Sequence, residues 1–406
     1  MSKVLLGLLC FIWPLSALSA EIPDPLGLDD FLNRVSNHNP RLKAEKARIA
    51  VAETERIGAG LLPNPELGYE TGQSIFGANI VDGSTHIISL EIPLEIFGQR
   101  GLRKALAEEM VEESRRIFDV EHAALLSEAR RVFIEAQLLQ ARLTIYEEMD
   151  AQLTEVLHIL SERVRLGTMS PYDLLRLELQ ARQIEAEHQS LKIDLLAMSR
   201  ELGSLMGTPE WSGVIRPSKQ VIQPGALDEL LLQHPELNAK QAQLRRLQAE
   251  LNLTNRERWP VPHLSLGTQL ATDELGGAIL AGVAFELPIF ERKQGEIARI
   301  QAEQRVTELE ADALQTEILH AVSRAKERVI GLLQLEEAFE SSAVARIDDL
   351  AERAKRLFEE GVTGVLEIVD ALETSVEVRT HHIELMERRL HIELEILEQL
   401  QALTKD

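Results

Sequence analysis

Near the C-terminus, Glu377, His381 and Glu384 fall at i, i+4 and i+7 on one helix face, with His382 and His391 close by. Imidazole and carboxylate ligands in that pattern suit a divalent transition-metal ion. Arg379, Arg388 and Arg389 are interspersed, and neighbouring positive charge weakens cation binding. The stretch therefore reads as a solvated helix face, with a diffuse transit surface for cations as the alternative to a specific site; no metal ligand is assigned. No nucleophile with a histidine partner, phosphate loop or strong metal-ligand spacing occurs elsewhere. The chain does not read as an enzyme, and no cofactor is implied.

The elements that carry these residues begin after a leader. Residues 1–20, MSKVLLGLLCFIWPLSALSA, have Lys3, an apolar run from Val4, a break at Pro14 and small residues before Ala20, the pattern of a secretory signal peptide. The one cysteine, Cys10, lies inside it, so the mature chain is expected to hold no disulfide and no thiolate metal site. The formal charge of −23, with 66 acids against 43 Lys and Arg, disfavours nucleic acid and favours cations. No mature segment has about 20 consecutive apolar residues, so no membrane-spanning helix is expected.

The chain aligns with itself at an offset near 195. Pro40 matches Pro235 and Pro93 matches Pro288 at 195, Pro63 and Pro65 match Pro260 and Pro262 at 197, and Gly167 matches Gly361 at 194. The landmarks keep their order, which marks a duplication, with a first repeat over 21–230 and a second over 231–406. Each half has a helix of moderate length, two strands, a very long helix, a tight turn and a return helix. The first half places strands at about 64–74 and 86–96, the long helix at 99–166, the turn at 167–171 and the return at 172–206. The second places them at about 261–271, 278–288, 295–360, 361–364 and 365–403.

The strands alternate with a period of two: Ile88, Leu90, Ile92 and Leu94 share a face opposite Ser89 and Glu91. Ile279, Ala281, Val283, Phe285 and Leu287 likewise share one. Each strand is long enough, at about 9–11 residues, to cross a bilayer when tilted. The long helices would make rods of about 100 Å. Leu139, Leu143, Tyr146, Asp150, Leu153, Leu157, Leu160 and Val164 form a coiled-coil seam in the first. Ala343, Ile347, Leu350, Ala354 and Leu357 form a smaller-residue seam in the second. Four membrane strands cannot close a barrel, so several copies must associate.

Leader, duplicated halves, two strands per half and hairpins broken at RLGTMSPYDLL and EEGVTGVLEIVDALE together resemble the TolC family of outer-membrane efflux proteins, over essentially the whole mature chain. The resemblance implies an α+β membrane protein: a homotrimer closing one transmembrane β-barrel from four strands per chain, in the lipid of a Gram-negative outer membrane, continued by a helical barrel in the periplasm. It implies a periplasmic adaptor (membrane fusion) protein and an inner-membrane RND-type pump as partners. The short length, the acidity and the PNPEL motif look most similar to the CzcC-like heavy-metal branch, which exports divalent metal cations.

The same resemblance assigns the entrance. Glu367 and Asp370, six and nine residues after Gly361, match acids that ring the pore in the family, and Asp173 is the counterpart six residues after Gly167. Gly167, Thr168, Met169 and Ser170, with Gly361, Val362, Thr363 and Gly364, are the expected adaptor-docking tips. Some members carry a clamping arginine two residues after the second glycine; this chain has Thr363. Two other readings remain open on sequence alone: a TolC-like duct for organic toxins or a secreted polypeptide, and a periplasmic coiled-coil scaffold or adaptor whose four strands form a soluble sheet.

Overall fold

The computed structural model describes residues 25–73, 84–217, 234–271 and 276–400. The leader expected at 1–20 and the end of the chain beyond residue 400 lie outside them. The elements are α1 (Leu28–His38), α2 (Pro40–Ala59), β1 (Glu66–Gln73), β2 (Ser84–Pro93), α3 (Gln99–Arg165), α4 (Pro171–Leu205), α5 (Pro235–Glu257), β3 (His263–Ala271), β4 (Gly277–Ala284), α6 (Gln294–Phe339), a π-helical turn Glu340–Val344, α7 (Ala345–Glu359) and α8 (Val365–Leu400).

The strands form one antiparallel sheet in the order β1-β2-β3-β4, so the halves meet where β2 pairs with β3. The register stacks Leu67, Leu90, Leu266 and Ala281 in one row and Tyr69, Ile88, Thr268 and Ile279 in the next. This face is apolar and uncovered: Leu67 is 74% and Ile279 90% exposed. The opposite face carries Glu66 beside Glu91, with Ser89, Ser265 and Gln269. His263 Nδ1 lies 2.9 Å from Glu91, which relieves the repulsion between the paired acids. Among the described residues of the single chain, β1 and β4 each have one unpaired edge.

β4 ends at Ala284, short of the expected 288. Its last partner is His263, and the residues before His263 include Pro262 and Pro260, which have no N–H to extend a ladder. β2 stops at Pro93 for the same reason.

α3 runs unbroken for 67 residues, about 100 Å. It packs against α2, α4, α5 and α8, while α6 packs against α5 and α8. Of its seam, Leu143, Leu153 and Leu160 are buried, joined by Met149 and Val156. Asp150, the one acid in the stripe, lies 3.7 Å from Nδ1 of the buried His188 of α4.

The second rod differs from the expected continuous helix over 295–360, because the π-helical turn interrupts it. A π turn inserts about one residue and rotates everything beyond it. Ile347 points inward as the seam requires, but Leu350 and Leu357, also expected in it, are exposed, and Phe358 is buried in place of Leu357.

The shorter helices are pinned to the return helices at equivalent points. Asn39 Oδ1 accepts from the Arg41 amide at 2.8 Å and its Nδ2 donates to the Leu205 carbonyl at 2.8 Å, tying α2 to the end of α4. At the equivalent place His234 Nε2 donates to the Gln399 carbonyl at 2.8 Å and Nδ1 accepts from the Leu237 amide at 3.5 Å, tying α5 to α8. This pattern requires a neutral ring. Burial pushes the His234 pKa down, against the Gln399 bond and the Glu236 charge. A depressed folded pKa means stability that is complete above the unfolded value, about 6.5, and is lost as pH falls through the folded value. His234→Asn, which copies Asn39, should flatten that part of the stability loss in thermal melts from about pH 8 to about pH 5. Parallel profiles for the two proteins would clear His234 of the effect.

Candidate functional site at the helix tips

Both long helices end in the same way. Gly167 and Gly361 have φ of 76° and 73°. Thr168 N donates to Arg163 O at 2.9 Å and Gly167 N to Val164 O at 3.0 Å. In the second tip Val362 N donates to Leu357 O at 2.9 Å and Gly361 N to Phe358 O at 3.0 Å. These are Schellman caps, which satisfy the last carbonyls of a helix and need a left-handed residue. An added Cβ at Gly361 meets nothing within 4 Å, so Gly361→Ala should cost only the backbone strain, about 1–2 kcal/mol. A loss well outside that range in chemical denaturation would contradict this account.

The return helices start differently. In α4, Ser170 Oγ accepts from the Tyr172 amide at 3.1 Å and Pro171 takes the first helical position. In α8, Gly364 stands where Ser170 stands in the first half. The Glu367 carboxylate folds back over it, with Oε2 at 2.9 Å from the place a Cβ on Gly364 would occupy. A carboxylate there is stabilised by the helix dipole.

Glu367 and Asp370 are exposed and take part in no ion pair among the described residues. Asp173 is half-buried and lines a narrow cleft with Arg176, Leu177, Gln180, Val365, Leu366 and Val369. The side chain of Gln180 bonds Glu373 across the same pair of helices. Thr168 bonds the Arg163 carbonyl at 2.9 Å, Met169 packs into the tip core, and Gly167, Ser170, Gly361 and Val362 face outward. Thr363 and Gly364 are half-buried, and the Thr363 hydroxyl oxygen is enclosed without a hydrogen-bond partner.

Beneath the turns Met149, Leu153, Val156 and Leu160 of α3 meet Leu177 of α4, Phe358 of α7 and Val365, Ile368, Val369 and Leu372 of α8. The two tips therefore share one core. Sequence reasoning missed Phe358, fully buried at its centre, and the exposed Leu166, Tyr172, Leu175 and Leu366 around it. Large apolar side chains bracketing both turns were the available signal.

The histidine-rich stretch lies on α8. His381 Nδ1 is 3.3 Å from Glu384, its ring meets the edge of Phe339 with centroids 5.1 Å apart, and His391 lines a separate groove with Arg328 and Arg388. Among the described residues, no group of three or more metal-capable side chains converges.

A 100 Å rod pair ending in matched turns, mounted on an open-edged sheet, has close counterparts in known structures. The structure of CusC, solved for its folding and transmembrane channel formation, superposes with a TM-score of 0.69, covering 92% of this chain and 91% of that one at 16% identity. The open state of the MtrE outer-membrane channel of Neisseria gonorrhoeae gives 0.72, with 92% and 89% covered at 15% identity. This is the TolC-family channel fold. In sequence, the chain is 24% identical over 382 residues to the cobalt-zinc-cadmium resistance protein CzcC of Cupriavidus metallidurans, spanning 89% of this chain and 87% of that protein. No family model matches. Within the TolC-family fold, the tips described above are the end of the rods remote from the sheet.

Proposed function

We propose that this protein is the outer-membrane exit duct of a tripartite efflux system. Three copies would join β4 of one to β1 of the next, making a closed barrel from the four strands of each chain and presenting the apolar face that carries Leu67, Leu90 and Ile279 to lipid. The observation that carries this is the sheet itself. Among the described residues its apolar face is uncovered and both its edges are unpaired, an arrangement stable in lipid only after closure.

The rods would continue the wall into the periplasm, with the tips meeting a periplasmic adaptor and, through it, an inner-membrane RND-type pump that supplies the energy. Glu367, Asp370 and Asp173 would ring the entrance, and the tip turns would dock the adaptor. Likeness to CzcC supports divalent heavy-metal cations as the cargo, and the charge of −23 suits cation passage.

The test is planar-bilayer conductance of the detergent-purified mature protein, with its mass measured in the same detergent. Discrete cation-selective channels from a trimer are expected. A soluble, non-conducting protein would replace this reading with a periplasmic scaffold. Growth of a deletion strain in zinc, cobalt, cadmium or copper, against bile salts or dyes, tests the cargo: sensitivity only to the organic compounds would remove the metal assignment.

A further inference from the structure

Arg163, in the last turn of α3, reaches out of its own hairpin. Its Nη1 donates to the Phe358 carbonyl at 3.0 Å and its Nη2 to the Glu359 carbonyl at 2.7 Å, both in the last turn of α7. Its guanidinium lies over the Phe358 ring, 5.0 Å from the centroid. One cation thus sits where two helices end, in the last turn of its own and bonded to the last carbonyls of the other, and both dipoles favour it. Stacking on the fully buried Phe358 fixes the plane of the fork.

We propose that Arg163 is the positioning residue that holds the second tip against the first, and so sets where the Glu367 and Asp370 carboxylates stand at the entrance. This rests on the duct reading above. Three features single Arg163 out. Arg165, two residues on, is turned to Glu162 of its own helix at 2.7 Å. The position equivalent to Arg163 in the second half is Leu357, so the clasp is made once per chain, from the first tip to the second. The neighbouring tie, Lys355 to Glu155 at 2.6 Å, joins two exposed side chains and contributes little. Arg163 instead holds backbone, directly above Phe358, Gly361 and the start of α8.

The second tip carries no clamping arginine after Gly361, because Thr363 is there. In this chain the restraint comes from the other hairpin. Loss of the fork removes the Arg163 bond to the Glu359 carbonyl, leaves the Phe358 carbonyl with only the Gly361 amide, and lets the turn Gly361–Gly364 move with α8.

Two measurements on the mature protein in detergent or bilayer test this, using wild type, Arg163→Ala and Arg163→Lys. The first is hydrogen exchange at the amides of the two turns. Arg163→Ala should speed exchange at Val362 about tenfold while Thr168 changes much less, and Arg163→Lys should fall between, since it keeps the charge and loses the fork. The second is resting conductance, which should rise in Arg163→Ala with cation selectivity unchanged, because Glu367 and Asp370 remain. Unchanged exchange at Val362, or a lowered melting temperature with wild-type exchange and conductance, would overturn the clasp. A wild type that never conducts would overturn the duct instead, and the exchange result would still decide on Arg163.

Discussion

Arg389→Met is expected to destabilise the chain by about 3–5 kcal/mol at neutral pH. The Arg389 side chain is 8% exposed and binds Glu336 of α6 through Nε at 2.6 Å and Glu393 of α8 through Nη1 at 2.7 Å. Glu393 is 4% exposed. Burial pushes its pKa up, and Arg389 opposes that shift. Without the guanidinium, two carboxylates remain enclosed with no counter-ion, the costly half of a broken buried pair. The Glu393 carboxyl would then move further up and take a proton. A raised folded pKa gives stability that is present below the unfolded value and lost as pH rises through the folded one. The variant should therefore recover part of its deficit on going from about pH 8 to about pH 5, read by urea unfolding followed by helix content. A deficit below about 1 kcal/mol at both pH values would show that this cluster is not the tie it looks to be.

The second large effect is functional. In the proposed duct, the pair Glu367→Ala with Asp370→Ala should weaken block by divalent cations about tenfold or more, because carboxylates ringing its mouth would act on a cation in reduced dielectric. Repetition in three copies would multiply their field. The two acids are not equivalent. Glu367 lies over Gly364 at the start of α8, so its removal also costs the helix about 0.3–1 kcal/mol. Asp370 is one turn further along and has no such duty, which makes Asp370→Ala the cleaner single change. Cation block identical to wild type in the double variant would remove the acidic ring from the mechanism.

How much of this was legible in the sequence depends on the reach of each interaction. The end of α3 is written locally: Gly167 and Ser170-Pro171 supply a left-handed cap, an N-cap and a fixed first residue within five positions. The strand faces follow from alternation in Leu67 to Thr71 and His86 to Ile92. Glu367, Asp370 and Asp173 could be assigned to the proposed entrance only by their count from Gly361 and Gly167 and by resemblance to a family. Their surroundings, with Glu367 folded onto Gly364 and Asp173 in a cleft against α8, required coordinates.

The sequence by itself determined the duplicated plan, through landmarks that recur in order about 195 residues on, and the first long rod, the turns and the alternating strands, because these rest on contacts between residues a few positions apart. The tertiary structure alone decided the rest. The π turn swaps Phe358 for Leu357 in the core, an outcome set by packing across helices that no stripe along one helix records. Arg163 meets Phe358 and Glu359 from 195 and 196 residues away. Arg389 finds Glu336 across 53 residues. An arginine in a surface-like run reads the same whether it meets water or a buried partner, and only the fold brings the partner to it.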